Sequence, residues 1–123
     1  MYKIIDKTIY MNRGDAINIH VVNKSQAFQS GDYLIFSICE EGNLENTLFM
    51  KKVEASEGDN TVDITLDPSD TRSFCEAFKK GQKTYWYEIE LNEEVTLIGY
   101  DKDGPKLLII YPEAAKLDTS NSI

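Results

Sequence analysis

Few side chains in this sequence combine the residue types and the spacing that catalysis needs. The chain contains one histidine, His20, which falls on the polar side of an alternating segment and is therefore expected at the surface. A Ser-His-Asp or Cys-His arrangement needs a nucleophile next to that imidazole, and no nucleophile motif surrounds a serine or a cysteine. We therefore expect no catalytic residue and no enzymatic activity.

Metal binding has one candidate segment. Residues 101–104, Asp-Lys-Asp-Gly, have the composition with which a calcium-binding loop begins. An EF-hand loop also needs further oxygen ligands, a closing glutamate and a following helix, whereas the residues after Gly104 have the character of a strand. Asp103 followed by Gly104 is typical of a hairpin turn. We expect neither a metal site nor a cofactor.

Two cysteines, Cys39 and Cys75, are available for a disulfide. Cys39 is out of phase with the apolar alternation of its strand and should face away from the core, whereas Cys75 falls on the inner face of a predicted helix. Nothing in the first ten residues resembles a secretion signal. Two free thiols are therefore favoured over a bridge.

The most suggestive cluster is the aromatic triplet Tyr85, Trp86 and Tyr87. Strand alternation points Trp86 away from the two tyrosines. An exposed tryptophan on a sheet can stack on a sugar or become buried in a protein partner. Core packing beneath a second layer explains it equally well, so Trp86 is a candidate partner-binding residue with this alternative left open.

Composition limits the classes of partner. A chain of 123 residues with 41% hydrophobic and 28% charged residues is typical of one soluble globular domain. Its net charge of −8 opposes binding to nucleic acid or to an anionic membrane, and it favours either solubility or a basic partner. No segment approaches the ~20 apolar residues of a membrane helix. These features predict a cytoplasmic location.

Hydrophobic alternation predicts about eight short strands, at 8–10, 16–22, 33–39, 47–53, 61–66, 84–91, 95–100 and 106–111. The strand at 47–53 has no clear parity, and its two lysines favour an edge position. One helix is predicted at about residues 68–80, where Asp67 can act as the cap, Pro68 suits the first turn and Gly81 suits the exit. Eight strands and a single helix favour an antiparallel sandwich or barrel.

The order of these motifs resembles a known family. The motifs are the turn Arg13-Gly14-Asp15 before an apolar strand, residues 66–71 (Leu-Asp-Pro-Ser-Asp-Thr) before a short helix, Gly81 with the strand residues 85–89, and the final apolar strand at 108–110. Together they resemble the immunoglobulin-like domain of upper baseplate and tail proteins from phages and prophages of Gram-positive bacteria. The similarity covers residues 8–112.

The resemblance implies an immunoglobulin-like β-sandwich over residues 1–112, followed by a flexible C-terminal tail at 113–123. It implies a non-enzymatic structural or assembly role in a tail or baseplate, with other tail proteins or further copies of the chain as partners. The expected location is then the cytoplasm during assembly and the virion afterwards. A carbohydrate- or protein-binding module that uses the aromatic residues around Trp86 is the alternative.

Overall fold

The computed structural model describes residues 2–114, which form nine strands and one short helix. The strands are β1 (Tyr2–Ile5), β2 (Thr8–Asn12), β3 (Ile17–Val22), β4 (Tyr33–Glu40), β5 (Asn43–Glu54), β6 (Thr61–Leu66), β7 (Lys83–Leu91), β8 (Val95–Ile98) and β9 (Lys106–Tyr111). The helix is α1 (Pro68–Phe74). The prediction of an all-β sandwich with one short helix is confirmed.

The strands form a large sheet and a small one. The large sheet has the order β1-β2-β9-β7-β4-β5, and β8 pairs with the far end of β7 beside β9. All its neighbours are antiparallel except β2 and β9, which run parallel. The small sheet is the antiparallel pair β3 and β6. It lies over the inner face of the large sheet, and every second residue of both small-sheet strands is buried.

The core fills the space between the two sheets. Strict alternation in β3 and β6 supplies six apolar side chains from one face of the small sheet, and β2, β4, β7 and β9 supply the facing layer. The fully buried members with the largest side chains include Phe28, Phe36, Ile64, Leu66 and Ile89. Phe28 comes from the loop between β3 and β4 and closes one end of this core.

Each edge of the small sheet is tied to the large sheet by one side chain. Asn18 of β3 and Thr65 of β6 stand opposite each other. On the β6 side, Lys51 of β5 donates to the carbonyl of Thr65. On the β3 side, the Tyr2 hydroxyl of β1 donates to the carbonyl of Asn18 at 3.3 Å. Both contacts satisfy edge carbonyls that would otherwise be free to pair with another strand.

The structure settles the parity of β5, which is an edge strand as predicted. Phe49 and Val53 pack against the core, so Met50 and Lys52 point to the outer face. Strand β1 was not predicted. Its connection to β2 uses positive φ angles at Asp6 and Lys7, 48° and 67°, which is a hairpin turn without the usual glycine or asparagine.

Helix α1 is shorter than the predicted 68–80. It begins as expected, with Pro68 in the first turn and the N–H of Asp67 bonded to the carboxylate of Asp70 at 2.7 Å. It ends at Phe74 because Cys75 adopts an extended conformation, in which its carbonyl accepts a bond from the Arg13 guanidinium. This tertiary contact ends the helix before Gly81 is reached, so Gly81 is not its C-cap.

The expected flexible tail begins at a residue that the fold holds. Glu113 pairs with Arg13 at 2.7 Å and also with Arg72 of α1. The rest of that tail, residues 115–123, lies outside the described residues. Within residues 2–114, no helix is long or apolar enough to cross a bilayer.

Both cysteines are free and buried, in agreement with the prediction. Cys39 lies on the outer face of the large sheet opposite Trp86, and Cys75 lies in the core. Because no covalent bond joins them, we expect a reducing agent to leave the melting temperature unchanged. Thermal unfolding with and without reductant measures this, and a clear drop under reductant would show a bridge that restricts the unfolded chain.

Phe74 anchors the helix to the core. Its ring lies 5.2 Å from Tyr85, edge-on, and 5.6 Å from Phe49. We expect Phe74→Ala to reduce the free energy of unfolding by about 3 kcal/mol, at the low end of the range for a phenylalanine because the ring is only partly buried.

Phe78→Ala is the matched comparison. Phe78 packs on the core with Lys83 over its face at 4.9 Å, and it has no aromatic ring contact within residues 2–114. Denaturant unfolding should rank Phe74→Ala as the more destabilising variant. An equal or reversed ranking would mean that the ring contacts of Phe74 do not hold the helix.

Candidate functional site

The outer face of the large sheet is the surface on which the predicted binding residue lies. The small sheet covers only the inner face. Along β7, Tyr85, Tyr87 and Ile89 point inward, whereas Trp86, Glu88 and Glu90 point outward. The prediction that Trp86 faces away from its neighbouring tyrosines is therefore confirmed.

Trp86 lies at the centre of this outer face. It stands between Cys39 of β4 and Leu107 of β9 in the sheet register. Its ring meets that of Tyr100, with centroids 5.7 Å apart and an interplanar angle of 63°. The two aromatic side chains therefore meet edge to face and do not form one flat platform.

The two tyrosines adjacent in sequence belong to the core and cannot share a binding surface with Trp86. Tyr87 is buried, its ring lies 5.6 Å from Phe36, and its hydroxyl donates to the carbonyl of Lys7 at 2.6 Å. Burial raises the pKa of Tyr87 to about 12. Burial also raises the pKa of Tyr85, with a further contribution from Cys75. Trp86 and these two tyrosines therefore cannot form one sugar-binding platform.

Two carboxyl groups lie next to Trp86 on the same face. Glu88 packs under the segment that leaves β8, so closely that a Cβ added at Gly99 would lie 3.3 Å from the Glu88 Cβ and 2.7 Å from a methyl carbon of Thr96. Burial raises the pKa of Glu88, and Glu90 beside it raises that pKa further. Among residues 2–114, no lysine or arginine forms an ion pair with either carboxylate.

We call this surface the Trp86 patch. It consists of two carboxylates among apolar and aromatic side chains from β5, β7, β9 and the segment after β8: Met50, Trp86, Glu88, Glu90, Tyr100 and Leu107. Met50 is 56% exposed and Tyr100 is 57% exposed, so large apolar groups remain open to solvent. Exposed apolar groups rimmed by polar residues are typical of an interaction surface.

The thiol nearest the patch has no nucleophilic character. Burial raises the pKa of Cys39, and the charge of Glu88 raises it further. The thiol stays protonated at neutral pH and is only 5% exposed, whereas a reactive cysteine needs thiolate character and access.

The other residues considered from the sequence have ordinary structural partners. His20 is exposed as expected, and its Nδ1 lies 2.7 Å from a carboxylate oxygen of Asp63. Asp101 accepts bonds from Lys106 and from the backbone of Asp103, both at 2.9 Å, which closes the expected turn. Within the described part of the chain, no group of histidine, cysteine, aspartate and glutamate side chains could hold a metal ion.

A cleft of about 460 Å³ lies at the helix end and is lined by Arg13, Arg72, Phe78, Lys79 and Glu113, among others. The Glu113 carboxylate is bound by both arginines, which lowers the pKa of this carboxyl. Arg13 belongs to the predicted Arg-Gly-Asp turn, and its side chain is only 15% exposed. The ion pairs of Glu113 with Arg13 and Arg72 hold the segment after β9 against α1, so the role of these three residues is structural.

Sequence reasoning found Trp86 but not the rest of the patch. Glu88 and Glu90 could have been assigned to it, because they follow Trp86 at the two-residue spacing of one strand face. Tyr100 gave no such signal. It reaches Trp86 because β8 pairs with β7 through a register shift beside Glu90, after which the chain bends over the outer face.

The raised pKa of Glu88 gives a testable effect on stability. The folded protein keeps the proton at pH values where the unfolded chain has lost it, so this carboxyl destabilises the fold as the pH rises above about 4.3. We expect Glu88→Gln to raise the melting temperature at about pH 7 and to have little effect at about pH 3, where both states are protonated.

Glu57→Gln is the matched control, because Glu57 is exposed in a loop and the substitution removes the same charge. It should leave the melting temperature nearly unchanged at both pH values. A lower melting temperature for Glu88→Gln at neutral pH would show that the ionised carboxylate is stabilised and would contradict this interpretation.

No family model, no curated protein and no solved structure matches this chain. Its function is therefore inferred from its own residues and geometry.

Proposed function

We propose that this domain is a non-enzymatic docking module that assembles into the tail or baseplate of a phage or prophage. The observation that carries the docking role is the Trp86 patch, in which Met50 and Tyr100 are open to solvent and two carboxyl groups have no ion-pair partner within residues 2–114. Such surfaces become buried in a partner. The small sheet packs on the opposite face of the large sheet. The protein would be cytoplasmic during assembly and part of the virion afterwards.

The arrangement of the strands supports the immunoglobulin-like part of this proposal. Two sheets pack face to face, β3 pairs with β6 in the smaller one, and β7 lies between β4 and β9 in the larger one. Helix α1 crosses from one sheet to the other. Two packed sheets joined by connections of this kind are typical of immunoglobulin-like sandwiches. The tail or baseplate assignment depends on the resemblance of the sequence motifs.

A carbohydrate-binding module is the second candidate, and the exposed ring of Tyr100 next to Trp86 favours it. Sugar platforms use aromatic faces, whereas these two rings meet at 63°. The edge-to-face geometry favours a protein partner that fills an irregular surface over a flat sugar ring.

The docking role can be tested by capture from cells. The tagged domain is incubated with a lysate of a Gram-positive host in which a prophage has been induced, and the captured proteins are identified by mass spectrometry. We expect tail or baseplate proteins to be captured by the wild type and to be lost with Trp86→Ala. Removing an aromatic side chain that anchors a protein contact typically costs about 2–4 kcal/mol of binding free energy.

Val22→Ala is the matched control, since Val22 is 47% exposed on the small sheet, on the opposite side of the domain. It should leave capture unchanged. Light scattering tests self-association in parallel. Capture of host enzymes without tail proteins, or equal loss in both variants, would contradict the proposal.

A further inference from the structure

The Trp86 patch contains two acidic side chains, Glu88 and Glu90, and no basic side chain. Glu88 and Glu90 lie on one face of one strand, and their carboxyl groups are close enough to hydrogen-bond to each other. Neither forms an ion pair within residues 2–114. The nearest cation in the sheet register, Lys52, lies across Ile35 from Glu90 and is held over the ring of Tyr33 at 4.3 Å. The cation that would balance the pair is therefore not supplied by this part of the chain.

This charge makes a second copy of the chain an unfavourable occupant. In a two-fold symmetric dimer the same patch meets itself, so the carboxylates of one copy would face those of the other. Like charges brought together in a desolvated contact oppose association. The net charge of −8 on each chain adds repulsion.

A neutral or anionic partner is also unfavourable. Covering Glu88 removes still more water from a carboxyl group that burial already disfavours as an anion, and an uncharged partner returns no ion pair for that loss. A partner with phosphate or carboxylate groups would add repulsion. The chemistry of the patch therefore selects a cationic side chain.

Among cationic side chains, the guanidinium group fits best. It is planar, it has five N–H donors that can serve two carboxylates, and it stacks on the face of an aromatic ring. Trp86 supplies such a ring next to Glu88, and Met50, Tyr100 and Leu107 supply the surrounding apolar contact. The aliphatic stem of the partner's arginine, together with apolar residues beside it in the partner, would cover Met50, Tyr100 and Leu107.

We propose that the partner of the Trp86 patch is a protein segment that places an arginine, flanked by apolar residues, against Trp86 and against the adjacent carboxyl groups of Glu88 and Glu90. This inference rests on the proposed docking function and names the chemistry of the partner surface.

Three synthetic peptides of equal length test the charge requirement. The first alternates arginine with valine, and its twins carry glutamine or glutamate in place of every arginine. Binding of the fluorescein-labelled peptides to the full chain is followed by fluorescence anisotropy up to about 1 mM. We expect the arginine peptide to bind at least about tenfold more tightly than the glutamine twin, with no binding of the glutamate twin. Equal binding of the arginine and glutamine peptides, or no binding of the arginine peptide, would overturn the inference.

Chain variants then locate the contact. The double variant E88Q/E90Q should weaken binding of the arginine peptide by at least about tenfold. The matched control is E41Q/E57Q, which removes the same two charges from exposed loop positions and should change binding by less than about twofold. Equal loss in both double variants would indicate attraction to the net charge alone and would overturn the inference. Circular dichroism confirms that each variant is folded.

The lysate experiment separates this inference from the proposed function. Capture of tail proteins by the wild type and equally by E88Q/E90Q would leave the docking function standing and overturn the arginine contact. Binding of the arginine peptide that depends on Glu88 and Glu90, without capture of tail proteins, would support the arginine contact and overturn the tail assignment. A dimer that dissociates on Trp86→Ala substitution would identify a second copy as the occupant and overturn the inference.

Discussion

The structure depends on how a sheet of only two strands is held in place. A pair of strands is marginally stable by itself in water, because half of its backbone groups and one of its faces lack partners. Here β3 and β6 place Ile17, Ile19, Val21, Val62, Ile64 and Leu66 against the large sheet. Burial of each such side chain contributes about 1.5–3 kcal/mol relative to exposure, so this one layer of contacts dominates the stability of the domain.

The same constraint explains the polar contacts at the two open sides. The small sheet is too narrow to cover the large one, and its edges would offer free carbonyls to any extended chain. Lys51 and Tyr2 reach across from opposite edges of the large sheet to the carbonyls of Thr65 and Asn18. At the helix end, Arg13 joins the carbonyl of Cys75 to the carboxylate of Glu113. These ties fix the relative position of the two layers.

The outer face is where the fold accepts an unfavourable arrangement. Glu88 is packed under Gly99 without a cation from residues 2–114, although a glutamine of similar size would avoid the cost of a desolvated charge. Destabilising arrangements of this kind concentrate at functional positions, where the stability of the rest of the fold offsets their cost. The patch around Trp86 is also the part of the large sheet that gains most from a covering partner, because its apolar groups and its charges are both incompletely satisfied.

Much of the fold could be predicted from local patterns. The alternation in 16–22 and 61–66 predicted two strands at or within one residue of their observed ends, since one buried face imposes a period of two along the chain. The strand at 106–111 was predicted from an apolar run that Pro112 ends. The start of the helix followed from Asp67 and Pro68. Strand β1 was missed because all four of its residues are exposed, so no alternation of buried and exposed positions marks it in the sequence. Its turn also places Asp6 and Lys7 in a left-handed conformation without the glycine that usually signals one.

The sequence by itself determined that Trp86 faces away from Tyr85 and Tyr87, because the alternation of side chains along a strand is a local property of the backbone. It did not determine which side of β5 is apolar, since two alternating sets of residues in that strand compete. Tertiary structure alone decided where α1 ends, since that depends on Arg13, which is 62 residues away from the Cys75 carbonyl that it binds. It also decided that the small sheet packs on the inner face of the large sheet and that Tyr100 joins Trp86 on the outer face. Coverage and long-range contacts arise only when distant segments meet, so no local pattern of residues encodes them.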